Sequence, residues 1–320
     1  MTVVLDLQAA LEGSRSGVVA VRRDDLGTLR LRGADVASYL HVVSSQHTAD
    51  LRPGDATSAL LLSPKGKIEL AFRLAMVDGG ALLDTEAAAA RALADRLARF
   101  VFRYDVAVER LPGSPTAVSL LGPGGEGALE AAGLPAAPEG PGRATVAGGL
   151  VVHRTALGVD LVGATAAAAL KALGRAGTAL APPEVWELAR IERGMPRWGE
   201  ELTDDVLAEE AGLLGSHVHL DKGCYPGQET VARVHNLGQV QRRLAGLRFD
   251  GDELPVPRTE LRTGDGRRAG QLRSVAHHPD LGPIGLAYVR RMVPDGSRVR
   301  AGESEATVTE LPFRPDRPNV

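Results

Sequence analysis

The apolar residues of this chain recur with two different periods, which alternate over the first three quarters of the sequence. β-type runs at 18–21 and 28–31 are followed by Val36, Tyr39, Leu40 and Val43, spaced as one face of a helix. After the Pro53-Gly54 turn, residues 58–62, 67–77 and 81–83 read as strands, the last two joined by an Asp78-Gly79-Gly80 hairpin turn. Thr85 stands where it would cap a helix over 86–100, in which Leu93, Leu97 and Phe100 share a face. The alternation then returns, with strands at 106–111, 116–121, 150–153 and 159–162 and helices at 125–132 and 165–176. A stretch rich in Pro, Gly and Ala at 134–143 reads as a loop, and Pro182-Pro183 opens a helix running to Gly194. From Val240 onward short strands are broken by Gly, Pro and Asp turns, the pattern of a small all-β module. The pattern predicts an α+β protein with two α/β parts within 1–239 and a β-domain over 240–320.

Composition narrows the function more than the fold. The chain has 320 residues, 44% of them hydrophobic, enough for more than one core. A net charge of −3 without a Lys/Arg cluster offers no footprint for a phosphate backbone, so direct nucleic-acid binding is not expected. Residues Met1 to Gly17 lack a basic stretch leading into an apolar one, and no segment approaches the ~18 apolar residues of a membrane span. The single cysteine, Cys224, excludes an intrachain disulfide and fits a reducing compartment. The expectation is a cytoplasmic protein without membrane contact.

Cys224 lies in the run Lys222-Gly223-Cys224-Tyr225-Pro226-Gly227-Gln228-Glu229. A thiol reacts as thiolate, and a nearby cation or helix N-terminus lowers its pKa, to roughly 3.5–7.5 in reactive cases. Lys222 is two residues upstream, and Pro226-Gly227 reads as the first turn of a helix through Val234, with Pro at the first helical position. The plainer reading is a small buried thiol, since free Cys is among the most buried residue types. Flanking Gly, Pro and Lys speak against a packed apolar site.

This run, with Thr230-Val231-Ala232-Arg233-Val234 behind it, resembles the signature of the YgfZ family of folate-binding proteins. That family supports assembly or repair of iron–sulfur clusters and is related to GcvT, the aminomethyltransferase of glycine cleavage. The resemblance implies two interleaved ferredoxin-like parts and a C-terminal β-barrel around a central cavity for tetrahydrofolate. It also implies iron–sulfur client or assembly proteins as partners. Cys224 and Lys222 become the reacting pair, with Gly223, Tyr225, Gly227, Gln228 and Glu229 completing the motif. Arg190-Ile191-Glu192-Arg193-Gly194-Met195-Pro196 resembles a second stretch of the superfamily, in which the Glu holds the pterin. A carboxylate suits that task because the pterin offers two adjacent donors. The implied folate contacts are thus Glu192, Arg190 and Glu69; Arg242, entering the barrel, reaches toward the glutamyl tail or lies on a solvated strand edge.

Glu69 falls where the aminomethyltransferases carry an acidic pair, but here it is followed by Leu70. A strand with Ile68, Leu70 and Phe72 on one face would leave Glu69 on the other beside Lys67, a solvated pair of small energetic value. The departure weakens a transferase reading, which stands as the alternative to an accessory protein. Whether a reaction is turned over is not fixed by these residues. Gly122-Pro123-Gly124-Gly125-Glu126-Gly127 matches a dinucleotide-loop pattern but lacks the second strand and its acidic end, so it reads as a turn. His217-Val218-His219 would put two imidazoles on one strand face, and Asp204, Asp205, Glu209 and Glu210 an acidic run on the surface. His277-His278-Pro279 reads as a polar turn. None of these has the convergent spacing of a metal site, and no metal is expected.

Overall fold

The computed structural model describes residues 3–113, 116–140, 142–238 and 240–314. The chain begins with α1 (Leu7–Ser16), β1 (Val19–Arg22), β2 (Leu26–Arg32) and α2 (Val36–Val43). It continues through β3 (Ala56–Leu62), β4 (Ile68–Val77), β5 (Gly80–Glu86), α3 (Ala87–Ala98) and β6 (Ala107–Arg110). Next come β7 (Ala117–Leu121), α4 (Gly125–Ala131), β8 (Ala144–Ala147), β9 (Leu150–Thr155), β10 (Gly158–Gly163), α5 (Ala166–Arg175) and β11 (Ala179–Ala181). Three helices follow, α6 (Glu184–Arg193), α7 (Leu214–His217) and α8 (Gln228–Leu237). The chain ends in β12 (Arg242–Phe249), β13 (Glu260–Thr263), β14 (Arg268–His278), β15 (Gly282–Arg290), β16 (Arg298–Ala301) and β17 (Ser304–Thr309).

These strands form a six-stranded sheet in the order β11-β1-β7-β10-β9-β8, a five-stranded sheet in the order β3-β4-β5-β2-β6, and a closed barrel of β12 to β17. The two open sheets interleave in sequence. β1 belongs to the first, β2 to β6 form the second, and β7 returns to the first. Pairing is antiparallel in both open sheets except between β1 and β11. The first barrel strand starts at Arg242; the expected boundary residue Gln239 lies outside the described residues, as do Pro141 in the 134–143 loop and residues 315–320.

Each sheet buries one face under helices. Leu29, Leu31, Leu74 and Leu83 meet Leu93 and Leu97 of α3 in the second sheet's core. Val118, Leu120 and Leu161 meet Leu129 and Leu173 in the first. Side chains of this size contribute about 1.5–3 kcal/mol each on full burial. The start of α3 differs from expectation. Thr85 stays in β5, donating its hydroxyl to the Ala71 carbonyl at 2.7 Å, and α3 begins at Ala87. α6 ends as the sequence suggests, with Gly194 in the left-handed conformation (φ 72°) that closes a helix C-terminus.

One irregularity shapes the site. Leu61 pairs with Leu70 but Leu62 pairs with Ile68, so Glu69 is the extra residue of a β-bulge. The bulge breaks the alternation: Leu70 and Phe72 join the core under α3, while Ile68 packs with Leu60, Leu62 and Tyr225. Ile68 therefore does not share a face with Leu70 and Phe72.

Candidate functional site

The Lys222–Glu229 run is a loop leading into α8. Lys222 is buried, and its ammonium donates to the carbonyl oxygens of His41, Ser44 (2.7 Å) and Gln46 (3.1 Å). These carbonyls close the C-terminal end of α2, where unpaired C=O groups and the helix dipole favour a cation. Three N–H donors meet three acceptors, so the ammonium is fully used. Burial pushes its pKa down to about 8. The structure thus has Lys222 tying the loop to α2, with the Tyr225 ring 4.8 Å away.

Cys224 is exposed. Tyr225 is buried beside Leu60, Leu62 and Val231, and the Gln228 amide donates to the Lys222 carbonyl at 3.3 Å, closing the loop. Gly227 (φ 84°) is the N-cap and α8 starts at Gln228, so Pro226 precedes the cap and is not the first helical residue. The reason is steric. A Cβ on Gly227 would lie 2.6 Å from the Ser63 carbonyl oxygen and 3.0 Å from the Gly66 Cα. A Cβ on Gly66 (φ 72°) would meet Thr230 at 2.8 Å. The two glycines let the β3–β4 turn touch the start of α8. Gly223 and Glu229 are exposed, the latter in the first turn where a carboxylate suits the dipole.

Cys224 also forms part of the wall of a cavity of about 490 Å³ between α2, the end of α3 and the loop. On another side of Lys222 lies a row of imidazoles: His41 and His47 have ring centroids 4.7 Å apart, His47 and His219 5.3 Å. Burial and the Lys222 charge lower the His41 pKa. His217 does not share a strand face with His219. It ends α7, bonds Ser216 Oγ at 2.8 Å, and is pushed down to about 4 by burial. Among the described residues no group of three or more His, Cys, Asp or Glu could hold a metal ion.

Arg190 is completely buried, and all its donors are taken. Nε and Nη2 clamp the Glu187 carboxylate (Nε at 2.8 Å), Nη1 donates to Glu201 Oε2 and the Met195 carbonyl, both at 3.1 Å, and Nη2 also reaches Ser274 Oγ at 2.7 Å. It has no N–H left for a ligand, so its direct folate contact is not supported; it staples α6 to the 195–201 turn and to β14. Glu192 is buried as well, with its carboxylate 3.4 Å from His278 Nε2 and 3.7 Å from Arg314 Nε. His278 lies in the barrel wall rather than in a polar turn. Its Nδ1 accepts from the backbone N–H groups of Asp280 and Leu281. Five residues on a helix span about 500°, so Glu187 and Glu192 point well apart. Glu187 lines an open cavity.

Two further expected contacts are also occupied. The Glu69 carboxylate pairs with Arg96 at 3.3 Å, not with Lys67, because the bulge re-aims it; Trp198 Nε1 donates to the Glu69 carbonyl at 2.9 Å. Lys67 turns to the Asp205 carbonyl at 2.9 Å. Arg242 pairs with Asp205 and Glu210, each at 3.1 Å, and lies over the Tyr288 ring. Glu210 is buried in this pairing, so it is not part of a surface acidic run. Arg242 still forms part of the wall of an 800 Å³ cavity with Arg268, Arg290 and Arg291.

The feature that sequence reasoning missed lies where the two open sheets face each other. Arg73 in β4 pairs with Asp84 (2.9 Å) and across to Asp160 in β10 (2.8 Å). Ser119 donates to Asp160 at 2.6 Å and accepts from Arg23 at 3.1 Å. Arg23 continues the chain outward, its guanidinium 3.5 Å from the Trp186 ring centroid. Burial raises the Asp84 pKa and holds His153, 3.9 Å away, well below its ordinary value. This network backs a cavity of about 590 Å³ whose walls include Arg23, Asp25, Trp186, Glu187 and Arg197. The only sequence signal was a charge next to an apolar residue within each of three strands, which also describes an ordinary outward-facing position.

Comparison with known proteins gives the class first. Residues 241–319 match the CAF17 C-terminal β-barrel domain family. Over 97% of this chain and 90% of the other, the fold superposes on the glycine cleavage system aminomethyltransferase T from Bartonella henselae with a TM-score of 0.84. At 19% identity that likeness is one of fold. The chain therefore has a GcvT-like fold with a CAF17-type C-terminal barrel. Among relatives, a chloroplastic protein of Arabidopsis thaliana, provisionally assigned as a transferase, is 27% identical over 95% of this chain and 73% of its own length. The tRNA-modifying protein YgfZ of Edwardsiella ictaluri is 34% identical over 43% of this chain and 44% of its own length. The chain thus resembles the YgfZ/CAF17 proteins in its C-terminal barrel and along part of its sequence.

Proposed function

We propose that this chain is a tetrahydrofolate-binding accessory protein that supports assembly or repair of iron–sulfur clusters in client proteins, with Cys224 as its reacting thiol. The observation that carries the reading is an exposed thiol, held by a fully used Lys222, on a GcvT-like fold whose Glu69 carboxylate is taken by Arg96. A transferase reading needs an acid available to the folate nitrogen, and Glu69-Leu70 offers little. The donor set of the Trp186 cavity fits a reduced folate. Its volume is in the range of small-ligand sites. The indole offers a face for the ring, and the Glu187 carboxylate an acceptor for the donor edge. Arg190 then acts as a positioning residue, fixing Glu187 through two bonds.

The partners are iron–sulfur client or assembly proteins, met at the Cys224 face; direct nucleic-acid binding is not part of the proposal. A lone thiol suits a reducing compartment, which we take to be the cytoplasm. No helix among the described residues is long and apolar enough to cross a membrane.

Calorimetry with tetrahydrofolate tests the binding half. Glu187→Gln replaces one acceptor oxygen with a donor and should weaken binding about 10-fold or more. Loss of affinity in Glu192→Gln but not in Glu187→Gln would move the pterin to the barrel side of α6. Turnover with an aminomethylated carrier protein and tetrahydrofolate would favour the transferase.

A further inference from the structure

The cavity beside Cys224 is chemically unlike the folate candidate. Its walls are mainly apolar: Val43, Leu61, Leu97 and Tyr104 line its interior, and Val42, Phe100 and Phe102 its rim. The rim residues remain exposed, Phe102 to 78% and Phe100 to 43%. Contiguous exposed apolar surface around a concavity marks a binding site more often than chance placement does. The charge beside it is positive. Arg96 lies 4.8 Å from the Phe100 ring and is paired with Glu69, whereas Arg103 meets only the Phe102 ring, at 5.7 Å, among the described residues. Aromatic surface, a guanidinium without a carboxylate partner and a volume of about 490 Å³ together describe a ligand with a planar apolar body and an anionic group.

We infer that the cavity formed by α2, the end of α3 and the Cys224 loop is a second ligand site, which takes a small aromatic anion and covers the Cys224 thiol when filled. The site is separate from the Trp186 cavity, and the inference does not depend on folate binding there. Because Cys224, Tyr225 and Pro226 form one wall, a ligand seated on Phe100 and Phe102 closes the approach to the sulfur. Occupancy would then govern when the thiol is available to a client.

The probe is anilinonaphthalene sulfonate, an aromatic anion whose fluorescence reports apolar contact, titrated into the full chain while Cys224 is alkylated with iodoacetamide. One equivalent should bind, and saturation should slow alkylation about 10-fold or more. Phe102→Ala and Arg103→Glu should each weaken binding about 10-fold, consistent with losing an aromatic or a cationic contact. Val256→Ala, at an exposed apolar position elsewhere, and Cys224→Ala should leave it unchanged. Circular dichroism of the Phe102 and Arg103 variants, both at exposed positions, checks that they fold. Binding insensitive to both substitutions, or saturation that leaves alkylation unslowed, would overturn the inference. Stoichiometric displacement of the probe by tetrahydrofolate would overturn it differently, by making this cavity the folate site itself.

Discussion

The Arg190–Pro196 turn and the Lys222–Glu229 loop are alike as sequences, each a short run with a cation, a glycine, a proline and a glutamate, and they end in opposite states. At Arg190 every donor has a protein partner, and the Glu192 and Glu201 carboxylates close by are buried. At Lys222 the cation is equally saturated, but its bonds hold up a loop whose next polar atom, the Cys224 sulfur, faces solvent. A buried cation is the structural part in both places. What separates a staple from a site is whether anything reactive is left over once the buried groups are satisfied.

Breaking the first region should have the largest effect. Arg190→Met keeps the volume but strands Glu201, which is completely buried, and we expect a loss of about 3–5 kcal/mol in urea unfolding. Lys222→Met leaves carbonyls at the end of α2 without donors and should cost about 1–3 kcal/mol, with faster proteolysis in the 222–227 loop. A loss near the Arg190 value would mean that the loop is part of the core and not an appendage to it.

A pH effect sharpens the comparison further. His217 is held down to about 4 by burial, against 6.5 when unfolded. The unfolded state therefore binds more protons between these values, so stability is complete above about 6.5 and falls as pH drops toward 4. His217→Gln should remove that slope, a difference of about 1 kcal/mol once partial solvent exposure is allowed for. Parallel stability curves for the two proteins across this range would contradict it.

The sequence showed the architecture well and the chemistry only in part. The change of period located most of the strands, and the turn residues after Gln239 announced the barrel, because each depends on local preference and burial pattern. Interleaving was expected from the resemblance; no strand carries a mark of which sheet it joins. Glu69 shows the limit most clearly. Strict alternation put Ile68 with Leu70, but a one-residue bulge separates them and turns the carboxylate to Arg96. Nothing at 68–70 signals the bulge. The Arg73–Asp84–Asp160 network was equally hidden: its members are 11 and 87 residues from Arg73. Helix phase accounts for the rest, since Glu187 and Glu192 share α6 yet face different neighbours.

The central claim is that the exposed thiol at Cys224, rather than aminomethyl transfer, is what the protein contributes. Cys224→Ala at an exposed loop position should change stability by less than about 0.5 kcal/mol. The most direct measurement is therefore functional: delete the gene and assay several iron–sulfur enzymes together with glycine cleavage, restoring either the native chain or Cys224→Ala. The account predicts that cluster-dependent activities fall and are restored by the native chain, that the folded Cys224→Ala protein does not restore them, and that glycine cleavage is unchanged throughout. Full restoration by Cys224→Ala, or loss of glycine cleavage alone, would contradict it.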